Sequence, residues 1–336
     1  MQNNMDISIP YYEDMTRLSN SNIGWFLNKG PAFLHKMLLG QGEEEKTTAL
    51  FRGTMIHEYL LQPEEFQKDY VVWDKSRPSS TQEEKFCQAL ADSIEIEPNK
   101  RLLTAYKTAY ATTNKSEDKI LLEATKKAST LKEYIDFLKS KDRREMITPY
   151  QANQLVTIKE NICNHKAACK LLQPADNEKV FHEFHINWEY ISKEICGNDD
   201  FVCRCKSLLD SATFSFSEKK ITLMDVKTSS HVHSFADSVN TYDYTRQLYY
   251  YTLALRWYIK NELHQDANEW TVDWYIIAID TFTNEVRVFN FTEDQIMSNV
   301  NKVFCAIRDI VWHERNNLWE HSRAYYEGNG VEILNL

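Results

Sequence analysis

With 336 residues, 43% of them hydrophobic, and 18 Tyr, 16 Phe and 8 Trp, the chain has ample apolar material for a core, which excludes wholesale disorder. A net charge of −10 speaks against a passive nucleic-acid coat, no run approaches the roughly 18 apolar residues of a membrane span, and seven scattered cysteines do not make a disulfide framework. The opening MQNNMDISIPYYEDM has neither a basic nor an apolar leader region, so a cytoplasmic location is expected, with no membrane partner.

In chain order, RLSNSNIGWFLNKGPAFLHKMLLG predicts a helix capped by Ser19 or Ser21, broken at Gly30-Pro31 and resumed to Gly40. TTALFRGTMIHEYLLQPEEF predicts a second, with Thr47 or Thr48 as cap and Pro63 beyond its end. From about Ser76 to Gln173 the chain is polar, helical and rich in lysine and glutamate. VFHEFHINWEYI, DFVCRCKSLLDSATF and KKITLMDVKT then predict three successive strands, by alternation and by β-branched and aromatic content. TYDYTRQLYYYTLALRWYIKNEL is a long amphipathic helix, WTVDWYIIAID and EVRVFNF are two more strands, and TEDQIMSNVNKVFCAIRDIVWHERNNLW is a closing helix. The expected class is α/β: a mixed central β-sheet flanked by helices, one domain over 1–336 with a helical insertion at 76–173.

The third of these strands ends on a chemically unusual stretch, ITLMDVKTSS. Asp225 and Lys227 are two residues apart and so share a face of the sheet. Such a pair is either a surface ion pair or half of a catalytic site. Only Ser217-Glu218 separate Phe216 from Lys219; if these two pair in a tight hairpin, counting back sets Asp210 opposite Asp225. Cross-strand neighbours have Cβ atoms about 4.5–5.5 Å apart. Two carboxylates that close need a cation between them, unless one is protonated or the register slips. Hard oxygen ligands would suit Mg²⁺ or Mn²⁺, and an ammonium beside them could hold a water and stabilise charge on a phosphoryl oxygen. Cys203 and Cys205, with Cys196 nearby, lack the usual C-x-x-C spacing of a metal site and read as buried apolar residues.

Asp210 followed by Asp225-Val226-Lys227 resembles the PD-(D/E)XK nuclease superfamily, in particular its RecB/RecE-type exonuclease branch, which includes exonuclease VIII-like and phage proteins. CRCKSLLD, LMDVKTSS and YDYTRQLYYY resemble that family's acid-bearing hairpin, its D-x-K strand and the Q-x-x-x-Y helix after it. GTMIHEYLLQPEEF is similar to the upstream helix with a metal-ligating histidine, and LSNSNIGWFLNKGPAFL to the opening helix. The resemblance covers the first 75 or so residues and about 178–290; the helical insertion is unmatched.

By that resemblance the core is restriction-endonuclease-like. Asp210, Asp225, His57 and the carbonyl of Val226 are metal ligands, and Lys227 is the catalytic lysine. Gln247 and Tyr251 touch the lysine, the water or the scissile phosphate, and Glu183 fits, more weakly, an acid on the preceding strand. Gly53, one turn before His57, leaves room for a strand or ligand. Arg52, Arg204, Lys206, Thr228 and Ser229 are candidate contacts to DNA; the plain alternatives are solvated basic residues and a hydrogen-bonded strand end.

The resemblance implies a Mg²⁺- or Mn²⁺-dependent exodeoxyribonuclease running 5′ to 3′ on duplex DNA, making single strands for recombination. It also implies a homo-oligomeric ring and work beside a single-strand annealing protein. Some relatives hold an iron–sulfur cluster on one early cysteine and a late trio. Here the first cysteine is Cys87 and only Cys305 lies late, so no cluster is expected. No G-x-x-x-x-G-K-[ST] stretch exists, so no nucleotide-driven motor is expected either. Two alternatives stay open, a catalytically silent DNA-binding or assembly protein of the same fold, and a structure-specific endonuclease.

Overall fold

The computed structural model describes residues 9–42, 47–111, 114–173, 175–192 and 201–332. Among them the chain forms two compact units, Glu64–Leu155 and the remainder.

The larger unit begins with α1 (Asn20–Lys29), α2 (Pro31–Leu38) and α3 (Thr48–Leu61), followed by α4 (Pro63–Asp69) at the boundary. Ser19 caps α1 in a reciprocal box in which Asn22 replaces the usual Glu or Gln. Gly30 (φ 84°) turns the chain where the Gly-Pro break was expected, and Thr47 caps α3.

The smaller unit contains β1 (Tyr70–Val72), α5 (Thr81–Asp92), α6 (Pro98–Ala109), α7 (Glu117–Thr130), α8 (Lys132–Ser140) and β2 (Glu145–Ile147), and ends within α9 (Pro149–Asn164). It has its own core of Phe86, Leu90, Tyr106, Ile120 and Ile135. β1 and β2 pair in parallel, a contact too short to leave a periodic signal in the sequence. The limits of this unit fall earlier than 76–173, because the last turns of α9 and α10 (Lys166–Leu172) belong with the larger unit.

The sheet follows: β3 (Lys179–Ser192), β4 (Phe201–Ser215), β5 (Lys220–Ser229), β6 (Thr271–Asp280) and β7 (Val286–Phe291), in that spatial order. All neighbours are antiparallel except β5 and β6. A parallel pair needs a crossover, supplied here by α11 (Phe235–Tyr242) and α12 (Tyr244–Asn261). The helix expected from Thr241 is α12, and α11 is an additional helix before it, set apart where Asp243 adopts a left-handed conformation (φ 57°), held by Arg246 at 2.9 Å and Lys302 at 3.1 Å. The closing helix is likewise split into α13 (Glu293–Met297) and α14 (Val300–Asn316), where Asn299 turns its amide onto the carbonyls of Gln295 and Ile296. α15 (Arg323–Glu327) ends the described chain. No helix of the described residues is long and apolar enough to cross a membrane.

Leu248, Tyr250, Ala254 and Leu255 of α12 are buried with Trp188, Leu209, Phe214 and Leu223 of the sheet, and with Ile23 and Ile307 of α1 and α14. Each such large side chain contributes about 1.5–3 kcal/mol by burial. Two indole N–H groups taken inside are satisfied: Trp188 Nε1 donates to Ser207 Oγ at 3.0 Å and Trp274 Nε1 to Thr252 Oγ1 at 2.8 Å.

Candidate metal centre

The β4–β5 hairpin has the register that the sequence count requires. Its ladder runs from Ser215↔Lys220 to Ser211↔Met224, so Asp210 and Asp225 are the next step. The turn is wider than two residues, with Lys219 left-handed at φ 49°. Beyond Met224 the strands separate: β5 stays paired with β6 as far as Ser229, while β4 accepts the extended Leu18 segment on its freed edge. Leu18 N–H donates to the Arg204 carbonyl and Lys206 N–H to the Leu18 carbonyl, both at 2.8 Å. Asp210 and Asp225 therefore sit in a fork, where strand backbone no longer fills the space between them.

A third acid joins from β3. The β3–β4 ladder passes from His182↔Ser211 to Phe184↔Leu209, which places Glu183 at the level of Asp210. Glu183 itself is left-handed, φ 46°, inside a strand. A non-glycine residue in that conformation is strained, and such strain is tolerated chiefly where a site needs it. From α3, His57 Nε2 reaches Asp210 Oδ2 at 3.0 Å and Glu183 Oε1 at 3.3 Å. Ligand atoms of His57, Glu183 and Asp210 all lie within 4.8 Å of one another.

Asp225 is buried beside them. Lys227 Nζ lies 2.6 Å from its Oδ2, and Gln247 Nε2 donates to its Oδ1 at 3.2 Å and to Tyr251 Oη at 2.9 Å. Val226 N–H donates to Asp210 Oδ2 at 2.7 Å. Since the N–H and C=O of one strand residue point to the same edge, the Val226 carbonyl also faces the fork. The Lys227 ammonium sits 5.2 Å from the centre of the Tyr244 ring.

Burial raises the Asp225 carboxyl, and the neighbouring Asp210 charge adds to it; Lys227 offsets part, leaving it at about 6. Burial likewise lifts Glu183 to about 7, against the pull of His57. For His57 burial opposes the charge, but Asp210, Glu183 and Asp225 together outweigh it and raise the imidazole to about 9. Asp210 is held below the usual carboxylate range, with His57 and Lys227 overcoming its burial. Three carboxylates thus face two cationic groups. Among the described residues, Glu183 Oε1 is buried with only His57 as an ion-pair neighbour at 3.3 Å, and Asp225 Oδ2 is buried with only the Lys227 ammonium against it at 2.6 Å. Hard oxygen donors with lone pairs to spare, next to one imidazole, fit a divalent cation of the Mg²⁺ or Mn²⁺ kind. The tight ligand cluster pairs His57 and Asp210 with Glu183, while Asp225 stands next to it, engaged with Lys227 and Gln247.

The candidate substrate contacts scatter. Lys206 requires a correction: it is 5% exposed and its ammonium donates to the carbonyls of Tyr11 at 2.6 Å and Asp14 at 2.5 Å, so it is an internal tie and not a surface contact. Arg52 is half-buried, with Nη1 donating to the Thr281 carbonyl at 3.1 Å. Arg204 is exposed on β4, in register with Glu189. Thr228 packs on Gly53, where an added Cβ would meet its Oγ1 at 3.2 Å, and Ser229 Oγ accepts from His231 N–H at 3.1 Å. Cys203 and Cys205 are buried; Cys196 lies outside the described residues. Sequence reasoning gave Tyr244 no role, although its spacing of three from Gln247 puts both on one helix face.

No protein-family profile matches the chain, and no curated protein matches it in sequence. A crystal structure of a provisionally named exonuclease from Eubacterium rectale is similar, with a TM-score of 0.47 and 13% identity, covering 100% of this chain and 96% of that one. At that distance the likeness says nothing of chemistry.

Proposed function

We propose that the chain is a metal-dependent phosphodiester hydrolase acting on DNA, an exonuclease of the PD-(D/E)XK type. One observation carries this: His57, Glu183 and Asp210 converge within 4.8 Å, beside a buried Asp225 that is paired with Lys227.

Glu183, Asp210, Asp225 and His57, with the Val226 carbonyl, would hold Mg²⁺ or Mn²⁺, which when bound acts as a Lewis acid on phosphate and lowers the pKa of bound water. The residues supply the rest. Lys227 is kept protonated because Asp225 and Asp210 outweigh its burial, so it presents a fixed positive charge where negative charge grows on a phosphoryl oxygen. Gln247, held by both Asp225 and Tyr251, fixes the Asp225 carboxylate and keeps α12 in line with the fork. The phenol of Tyr251 stays protonated, since burial and the Asp225 charge raise it well above its ordinary value; it can donate but not act as a base. Digestion of duplex ends, a 5′-to-3′ direction, a ring assembly and a single-strand annealing partner belong to the same proposal and rest on the family resemblance.

The test is digestion of end-labelled linear duplex and of covalently closed circles, with Mg²⁺, with Mn²⁺ and with chelator. Metal-dependent loss of the linear form alone is expected. Cutting of closed circles would make it an endonuclease, and no digestion by the wild type would end the hydrolase reading.

A further inference from the structure

Beside the Lys227–Asp225 pair, a row of stacked rings runs from the core to the surface. Phe235, 1% exposed at the start of α11, stacks on Phe289 of β7 with centroids 4.9 Å apart and on Tyr244 at 5.9 Å. Tyr244 stacks in turn on Tyr242, 5.7 Å away with the ring planes 21° apart. All three spacings fall in the range of offset-stacked aromatic pairs. Tyr242 stands at the outer end of the row and is 64% exposed. The row depends on the left-handed Asp243. In an unbroken helix residues two apart do not face each other, so Tyr242 and Tyr244 could not stack. The turn at Asp243, held by Arg246 and Lys302, brings their rings together.

We infer that the Tyr242 ring is a stacking platform for a nucleobase, the terminal base next to the phosphate that meets Lys227; the identity of the ligand rests on the nuclease reading above. Lys227 Nζ lies 5.2 Å from the centre of the Tyr244 ring, so the platform is one ring removed from the charge assigned to the phosphate. A base is tied to its phosphate by a single sugar, which suits that separation. At the end of a duplex the last base has one face that no neighbour covers, and that face is what Tyr242 takes. A ring already fixed by the stack beneath it loses little freedom when a base is laid on its outer side. Every base has a π-face, so such a platform is indifferent to sequence, as an enzyme that digests from an end requires.

The experiment measures binding of two short DNA hairpins by fluorescence anisotropy, in chelator so that nothing is cleaved. They are identical except that in one the terminal base pair is replaced by two abasic analogues. The wild type is expected to bind the abasic hairpin about tenfold more weakly than the intact one. Tyr242→Ala should lose about the same factor on the intact hairpin and nothing further on the abasic one. Tyr242→Leu, which still covers Tyr244 but has no π-face, should behave like Tyr242→Ala, and Tyr242→Trp should bind as the wild type does. Equal losses by Tyr242→Ala on both hairpins, no loss on either, or wild-type binding by Tyr242→Leu overturns the inference. So does a smaller assembly of Tyr242→Ala in light scattering with DNA binding unchanged, which would make the ring a contact between copies of the chain. If the coupling between ring and base holds while the wild type cleaves no DNA with Mg²⁺ or Mn²⁺, the platform stands and the hydrolase reading falls. If DNA is cleaved and the coupling is absent, the platform alone falls.

Discussion

Lys227 Nζ lies 2.6 Å from Asp225 Oδ2, and the two side chains come from the same face of β5 just past the point where β4 leaves it. An exposed ion pair of this kind contributes under about 1 kcal/mol, but here the carboxylate is 1% exposed. Removing the ammonium leaves a buried acid with less compensation, and removing the acid leaves an ammonium without its partner.

Substitution of Lys227 by Met is therefore expected to reduce metal-dependent DNA hydrolysis by about 10²–10³-fold while DNA binding in chelator changes little, in line with loss of a positioned charge at the reacting phosphate. Single-turnover kinetics on a linear duplex make the comparison. A Lys227→Met protein that turns over like the wild type contradicts the assigned role.

Divalent metal should stabilise the protein. Glu183 Oε1 is buried without a hydrogen bond, and a bound cation relieves the repulsion among Glu183, Asp210 and Asp225. At a metal concentration of 100 Kd the gain is about 2.7 kcal/mol, read as a rise in Tm on adding Mn²⁺ to chelator-treated protein. Glu183→Gln should abolish most of that rise. A wild-type Tm indifferent to Mg²⁺ and Mn²⁺ would count against a metal centre.

Gly53→Ala tests the closeness of α3 to β5. A methyl group there meets Thr228 Oγ1 at 3.2 Å, so the neighbour must yield by a few tenths of an ångström. Alanine gains roughly 0.5–1 kcal/mol in helix propensity, which offsets the contact. The expected result is a Tm close to wild type with activity lower by several-fold, because α3 also carries His57. Restoration of activity by adding Thr228→Ser, whose missing methyl lets the hydroxyl swing away, identifies the contact as the cause.

The helical unit has its own pH response. Lys127 and the Ser79 amide hold Glu83 at about 2, down from an ordinary 4.5. A depressed carboxylate contributes stability that is full above its unfolded pKa of about 4.5 and is lost as pH falls through about 2. Allowing for solvent screening of a partly exposed pair, the contribution at pH 7 is about 1–2 kcal/mol. Glu83→Gln should show that deficit in urea unfolding at pH 7, only a small part of it at pH 2, and an intermediate value near pH 3.

Most of the architecture could be read in advance. The five strands of the sheet carry alternation or β-branched runs long enough to be distinctive, and Ser19, Gly30 and Thr47 act through local backbone chemistry that any window of sequence displays. The helix breaks at Asp243 and Asn299 were hidden because neither is proline or glycine. Each depends on a partner distant in sequence or on a turn-specific hydrogen bond, such as Lys302 on Asp243.

Sequence by itself determined the chemistry on offer and one spatial relation: a short connection between Phe216 and Lys219 sets the register that places Asp210 beside Asp225. Tertiary structure decided the rest. Glu183 reaches Asp210 across a connection too long to count through, His57 arrives from a helix more than a hundred residues away, and Lys206 is drawn inward by carbonyls of the N-terminal segment. Short loops transmit geometry along the chain because they have few conformations, whereas contacts between distant segments depend on packing of the whole core and leave no local trace.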